Sequence, residues 1–173
     1  LLKTNGGYLH DDLGNLPADW LARPLHKHQE VAIEQACKDK QNLIVATGTG
    51  SGKTECFLFP LADMLLGDER RERGVRALLV YPMNALANDQ LYYRIAPLFG
   101  SYLKDAGITF GRFTGQIRAN TDRSEEEQRL RSNDKLMAAL GHPKKIPENW
   151  LLTREEMLAN PPDILITNYA MLE

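Results

Sequence analysis

Cysteine is nearly absent: Cys37 and Cys56 are the only two in 173 residues, and neither belongs to a CxxC pair. That excludes a disulfide framework and a cysteine-based zinc site, and it fits a reduced compartment, cytoplasmic in a bacterium or, second, nuclear. No apolar run approaches the ~20 residues that a bilayer span needs, and the first residues lack the basic, apolar and small-residue succession of a secretory signal. The expectation is a soluble chain without a membrane partner. An excess of either charge is missing too, since 21 Lys plus Arg face 23 Asp plus Glu for a net charge of -2. No global positive field draws polyanions to it, so any contact with nucleic acid has to be local. The four histidines, His10, His26, His28 and His142, lack metal-ligand spacing and read as surface or packing residues. What remains is 43% hydrophobic and 25% charged, the balance of one ordinary globular domain able to bury a core.

Three short apolar runs, Leu43 to Ala46, Ala77 to Tyr81 and Ile164 to Thr167, read as strands, with a weaker fourth at Ile108 to Phe113. They are continuously apolar and do not alternate, which predicts a mainly parallel sheet covered by helices. Helical stretches lie between them, the βαβ alternation of an α/β domain. The first helix is expected to open at Pro24 and run toward Lys40, and the second to begin at Gly52 and bury Phe57, Leu58, Leu61 and Leu65, with a kink at Pro60. The third should run from Ala85 to about Phe99 with Asn84 as its cap. From Arg118 to Pro162 the chain becomes charge-rich and proline-punctuated, an excursion from the sheet whose helices start at two capping boxes, Ser124 with Glu127 and Thr153 with Glu156. Trp20 and Trp150 read as core anchors, and Cys56 as a small buried apolar residue.

The segment that carries chemistry is Thr47-Gly48-Thr49-Gly50-Ser51-Gly52-Lys53-Thr54, placed after one expected strand and before a helix. Glycines there let backbone N–H groups turn inward around a phosphate, and the helix N-terminus adds the positive end of its dipole. Lys53 is positioned to reach the β- and γ-phosphates of ATP, and the Thr54 hydroxyl to ligate Mg2+. Thr47 stands where the usual pattern has glycine. A phosphate loop alone leaves kinases, GTPases, transporters and motors open.

Three other segments narrow the choice: Leu25-His26-Lys27-His28-Gln29 upstream, Tyr81 to Gln90 after the second apolar run, and Asp163 to Glu173. A carboxamide such as that of Gln29 offers a donor and an acceptor together, as an adenine edge requires. In order and spacing the chain resembles the first RecA-like domain of superfamily 2 DEAD/DEAH-box helicases, with a flavour similar to large bacterial repair or phage-defence helicases. The resemblance places Gln29 at the adenine-recognising position and Thr47 to Thr54 at motif I, so that Gln29, Thr47, Gly48, Thr49, Gly50, Ser51, Gly52, Lys53 and Thr54 would bind the nucleotide. It also implies nucleic-acid contacts from Pro82, Met83 and Asn84 in motif Ia, from Thr114-Gly115, and from Thr167-Asn168. Met83 replaces the threonine common in that family.

The resemblance implies a lead-in at 1–23 and a partial RecA-like α/β domain at 24–173, with a charged helical insertion at 118–162. Cofactors are ATP and Mg2+. Partners are a single-stranded or unwinding nucleic acid, DNA in preference to RNA, and a second RecA-like domain of the same parent chain. The acidic pair of motif II is expected beyond Glu173, so the fragment alone is expected to be inactive and the parent to be the ATPase. The alternatives are another P-loop enzyme such as a kinase, or a nucleotide-gated scaffold without productive hydrolysis.

Overall fold

The computed structural model describes residues 7–17, 20, 24–68, 74–117, 119–141 and 145–172. Arg118, His142, Pro143 and Glu173 lie outside these, as do parts of the 1–23 lead-in. The chain divides into two units, Leu1–Arg71 and Glu72–Glu173.

In the first unit a 3-10 turn, Asp11–Asn15, precedes two packed helices, α1 (Lys27–Cys37) and α2 (Lys53–Leu66). Both are amphipathic in the plain sense that one stripe of each is buried: Ala32, Ile33 and Cys37 from α1, and Cys56, Leu58, Phe59, Leu61, Ala62 and Leu65 from α2. The Trp20 ring meets Phe59 edge-on at 6.5 Å. Cys37 and Cys56 are buried free thiols, and burial pushes the Cys37 thiol up to about 12. Pro24 lies three residues short of α1, whose first turn is instead closed by Gln29, because its Oε1 accepts the His26 N–H at 2.8 Å. Pro60 sits inside α2 without ending it.

The expected strand at Leu43 to Ala46 is not formed. A strand exists only by pairing, and among the described residues no strand pairs with it, so Ile44 stands 98% exposed. An apolar run records that a segment favours burial; it cannot supply the neighbour.

The second unit holds a four-stranded sheet in the order β1-β4-β2-β3, parallel at every pairing, formed by β1 (Ala77–Tyr81), β2 (Phe110–Arg112), β3 (Trp150–Leu151) and β4 (Ile164–Asn168). Ala77 pairs with Ile164 and Tyr81 with Asn168, so β1 and β4 end level with each other. The N-terminal ends are joined by Asp163, whose carboxylate accepts from Arg76 Nε at 2.8 Å and from the Thr109 N–H at 2.7 Å. Helix α3 (Asn84–Gln90) packs on β1 and β4 and continues through π-helical turns at Leu91–Ile95 and Leu98–Tyr102. Of the apolar stripe expected along it, Leu91, Ile95 and Leu98 are buried together with Phe99, whereas Leu86 is exposed.

The charged stretch is less of an excursion than expected. It folds into α4 (Arg123–Arg131), α5 (Asp134–Leu140) and α6 (Arg154–Ala159), but Trp150–Leu151 between them joins the sheet beside β2. Two residues are too short for any periodic signal. Trp150 is buried against Phe110, a core anchor as expected. The Thr153/Glu156 capping box is present, with the Glu156 N–H on Thr153 Oγ1 at 3.1 Å and the Thr153 N–H on Glu156 Oε2 at 3.1 Å. The Ser124/Glu127 box is not: Asp122 caps α4 through the Ser124 N–H, and the Glu127 carboxylate pairs with Arg123 and Arg131. An ionised partner one turn away attracts that carboxylate more strongly than an amide does. Arg123 also donates to Glu156 at 2.8 Å and to the Trp150 carbonyl at 3.1 Å, which ties α4 to the sheet through α6 and β3. Burial alone would raise the Glu156 pKa, but Arg123 and the Leu152 and Thr153 amides hold it below the usual carboxylate range.

Candidate nucleotide and nucleic-acid sites

In the first unit, Thr47 to Lys53 forms a loop that turns on two left-handed glycines, Gly50 at φ 76° and Gly52 at φ 78°. Gly52 is also the N-cap of α2, so Lys53 and Thr54 open that helix. The loop is closed from within. The Lys53 ammonium donates to the carbonyls of Thr47 at 3.0 Å and Gly48 at 2.6 Å, and the Thr47 and Ser51 hydroxyls lie 2.6 Å apart. Thr47 therefore adds a hydroxyl contact that glycine lacks. The helix that a phosphate loop must precede is present; the strand that should lead into it is not.

Gln29 is buried and bound to this loop. Its Nε2 donates to the Gly52 carbonyl at 2.8 Å while its Oε1 closes the first turn of α1. The family resemblance implied an adenine contact for Gln29 and gave no sign of this attachment to Gly52. Nε2 also lies 3.4 Å from Glu55 Oε2, so of the two N–H groups and two oxygen lone pairs of the carboxamide one lone pair is still available.

Gly52 has no room for a side chain. An added Cβ would stand 2.4 Å from Gln29 Nε2, at a φ that L-residues rarely adopt. Gly52→Ala is expected to cost about 1–2 kcal/mol from the left-handed backbone alone, with the displacement of Gln29 added. Thermal unfolding should show a lowered midpoint, and a nucleotide-binding titration a weakened site. An unchanged midpoint would contradict this geometry.

In the second unit the residues singled out in sequence converge on the C-terminal ends of the strands. Tyr81 and Asn168 end paired strands, and Asn168 Nδ2 donates to Asn84 Oδ1 at 2.7 Å. Asn84 is thus the first residue of α3 and not its cap; Met83 holds the N-cap position, with no side-chain hydrogen bond. The cause is the nearby amide of Asn168, which takes the Asn84 oxygen that would otherwise have turned back on the helix. Thr167 is buried and donates to the Phe113 carbonyl at 2.7 Å, which joins β4 to the segment leaving β2. Thr114 is fully buried, and its carbonyl accepts from Arg154 at 3.3 Å. Gly115 beside it has open space around it.

Several polar groups at this edge lack what burial demands. Among the described residues, Tyr81 OH, Asn88 Oδ1, Arg112 Nε, Thr114 Oγ1 and Asn168 Oδ1 are buried without a hydrogen-bond partner. Arg112, the last residue of β2, is 4% exposed and reaches only Gln116 at 3.4 Å. Burial pulls its guanidinium below the ordinary arginine value, with Tyr92 opposing. Burial likewise pushes the Tyr81 phenol up to about 12. Arg112, Asn88 and Gln116 were not expected from the sequence, since a lone arginine inside an apolar run looks like a strand end. No group of three or more His, Cys, Asp or Glu able to hold a metal ion occurs among the described residues, which do not include His142. No helix there is long and apolar enough to cross a membrane.

The family model for the DEAD/DEAH box helicase matches residues 26–160. Druantia protein DruE of Escherichia coli (strain UMEA 4076-1) is 33% identical, over 86% of this chain and 12% of that protein. ATP-dependent RNA helicase DBP9 of Debaryomyces hansenii is 37% identical over 35% of this chain, and ATP-dependent RNA helicase ROK1 of Meyerozyma guilliermondii 33% over 50%. The chain spans only 10% of DBP9 and 16% of ROK1. The matched span includes Gln29 and the Thr47 to Thr54 loop of the first unit and, in the second unit, the Pro82 to Gln90 segment and most of a parallel sheet of the RecA-like kind. The chain belongs to the DEAD/DEAH box helicase family.

Proposed function

We propose that this chain is the ATP- and nucleic-acid-binding part of a motor that couples ATP hydrolysis to translocation along, or unwinding of, a nucleic acid. The observation that carries the nucleotide half is the Thr47 to Thr54 loop, with its two left-handed glycines and its lysine opening α2. Phosphate oxygens would take over the hydrogen bonds that Lys53 now gives to the Thr47 and Gly48 carbonyls. Amides of the first turn of α2 add further donors. Thr54 would hold Mg2+, and ATP with its metal supplies the phosphoryl group whose transfer drives the motor. Gln29 would read the adenine edge while staying tied to Gly52. The strand-binding half is the C-terminal sheet edge of the second unit, with Pro82, Met83, Asn84, Thr114, Gly115, Thr167 and Asn168. Ligands of open α/β sheets bind at that edge, and its unmet polar atoms favour a polar ligand. A second RecA-like domain of the same protein would bring the arginine finger.

Gln29→Ala tests the link between base and phosphate. Because one side chain serves both, the variant is expected to reduce discrimination between ATP and GTP and also to weaken ATP binding itself, each by about tenfold, the scale of one or two hydrogen bonds to a charged or buried group. Parallel titrations with both nucleotides check it. Equal use of ATP and GTP by the unmodified protein would end the adenine role.

A further inference from the structure

We propose that Tyr169, with Met83 at the same sheet edge, is a base-stacking platform, so that the strand is held through its bases as well as its phosphates. This rests on the strand-binding reading above and extends it to a residue outside that set. Tyr169 directly follows β4 and opens a 3-10 turn, Tyr169–Met171. It is 59% exposed, while Thr167 and Asn168 before it are buried. Met83 is 62% exposed two residues after β1. Because Tyr81 and Asn168 are paired in register, the chain leaves both strands at one height. The 2.7 Å bond between Asn168 and Asn84 then fixes the residues next to Tyr169 and Met83 together. An exposed aromatic ring and a thioether thus flank a hydrogen-bonded pair, at the edge where Asn88, Arg112 and Asn168 keep buried polar atoms without partners.

An apolar pair bordered by unmet polar groups fits a ligand that is apolar in its faces and polar in its edges and backbone. Unpaired nucleobases have that character, and stacking on an aromatic ring is indifferent to sequence because every base has a π-face. Charge points the same way. A chain of net charge -2 gains little from phosphate attraction alone, and stacking provides affinity that salt does not remove. Only an unstacked single strand presents base faces, so the platform would select single strands over duplex.

The test uses the complete protein and single strands, DNA and RNA, of mixed sequence, with abasic versions of each, across a salt series. Tyr169→Ala is expected to weaken binding of the intact strand about tenfold and to leave the slope of log affinity against log salt unchanged, since no phosphate contact is removed. Abasic strands should bind the variant and the unmodified protein alike, and Tyr169→Phe should keep full affinity. A strand carrying a fluorescent purine analogue should be quenched by the unmodified protein and not by Tyr169→Leu, which keeps apolar bulk without a ring. An equal loss on abasic and intact strands, a shallower salt slope, no quenching, or no loss at all would overturn the platform. That last result, beside a Met83→Asp variant that has lost affinity, would leave the strand-binding edge standing. An unmodified protein with no affinity for any strand would instead overturn the edge itself.

Discussion

Replacing Lys53 by Ala in the complete protein is expected to reduce nucleic-acid-stimulated ATP hydrolysis to background, a loss of at least about 10²–10³-fold, the scale of removing one group that stabilises transition-state charge. In this structure the ammonium binds two loop carbonyls, at 3.0 Å and 2.6 Å, and makes no contact that the core depends on. The fold should therefore survive. Thermal unfolding within a few degrees of the unmodified protein, together with lost phosphate release, is the expected pair of results. Hydrolysis at the unmodified rate would remove the phosphate-loop assignment. A collapsed unfolding midpoint would show that the lysine supports the loop more than it serves the nucleotide.

Met83→Asp is expected to weaken strand binding about tenfold or more at low salt, for all sequences alike, by setting a carboxylate against phosphates. The structure makes this substitution unusually clean. Met83 is the N-cap of α3, in extended conformation and without a side-chain cap bond. Asp is a preferred N-cap residue, so the change should stabilise the helix by about 1 kcal/mol while it repels the strand. Lost binding then cannot be ascribed to unfolding. Met83→Asn supplies the cap without the charge, and the difference between the two variants isolates electrostatics. Binding of a labelled single strand across a salt series, beside ATP-analogue binding, checks it. Equal strand affinity in both variants and the unmodified protein, or a loss confined to ATP, would take this surface out of the nucleic-acid path.

The motifs that point to the family were the most legible part of the chain, because their constraints are local. A lysine and a threonine after spaced glycines, or a proline after an apolar run and before a helix, announce themselves within ten residues. The strands at Ala77 and Ile164 were legible for a related reason: a strand buried on both faces is apolar at every position. Their neighbours were not. Leu43 to Ala46 carries the same signal and forms no strand, whereas Trp150–Leu151 carries none and joins the sheet.

By itself the sequence determined the parallel α/β character and the family, since composition, period and motif spacing are properties of one segment at a time. Tertiary structure decided which side chains share a bond: Gln29 with Gly52, Asn84 with Asn168, and Arg123 with both Glu156 and Trp150. It also decided that Arg112 and Asn88 are buried with unmet groups, and that Tyr169 and Met83 are both exposed where paired strands end. The physical reason is that hydrogen bonds and burial are made between segments far apart in sequence. Asn84 and Asn168 each satisfy their local patterns in several ways, and only the register of β1 on β4 selects the one that joins them.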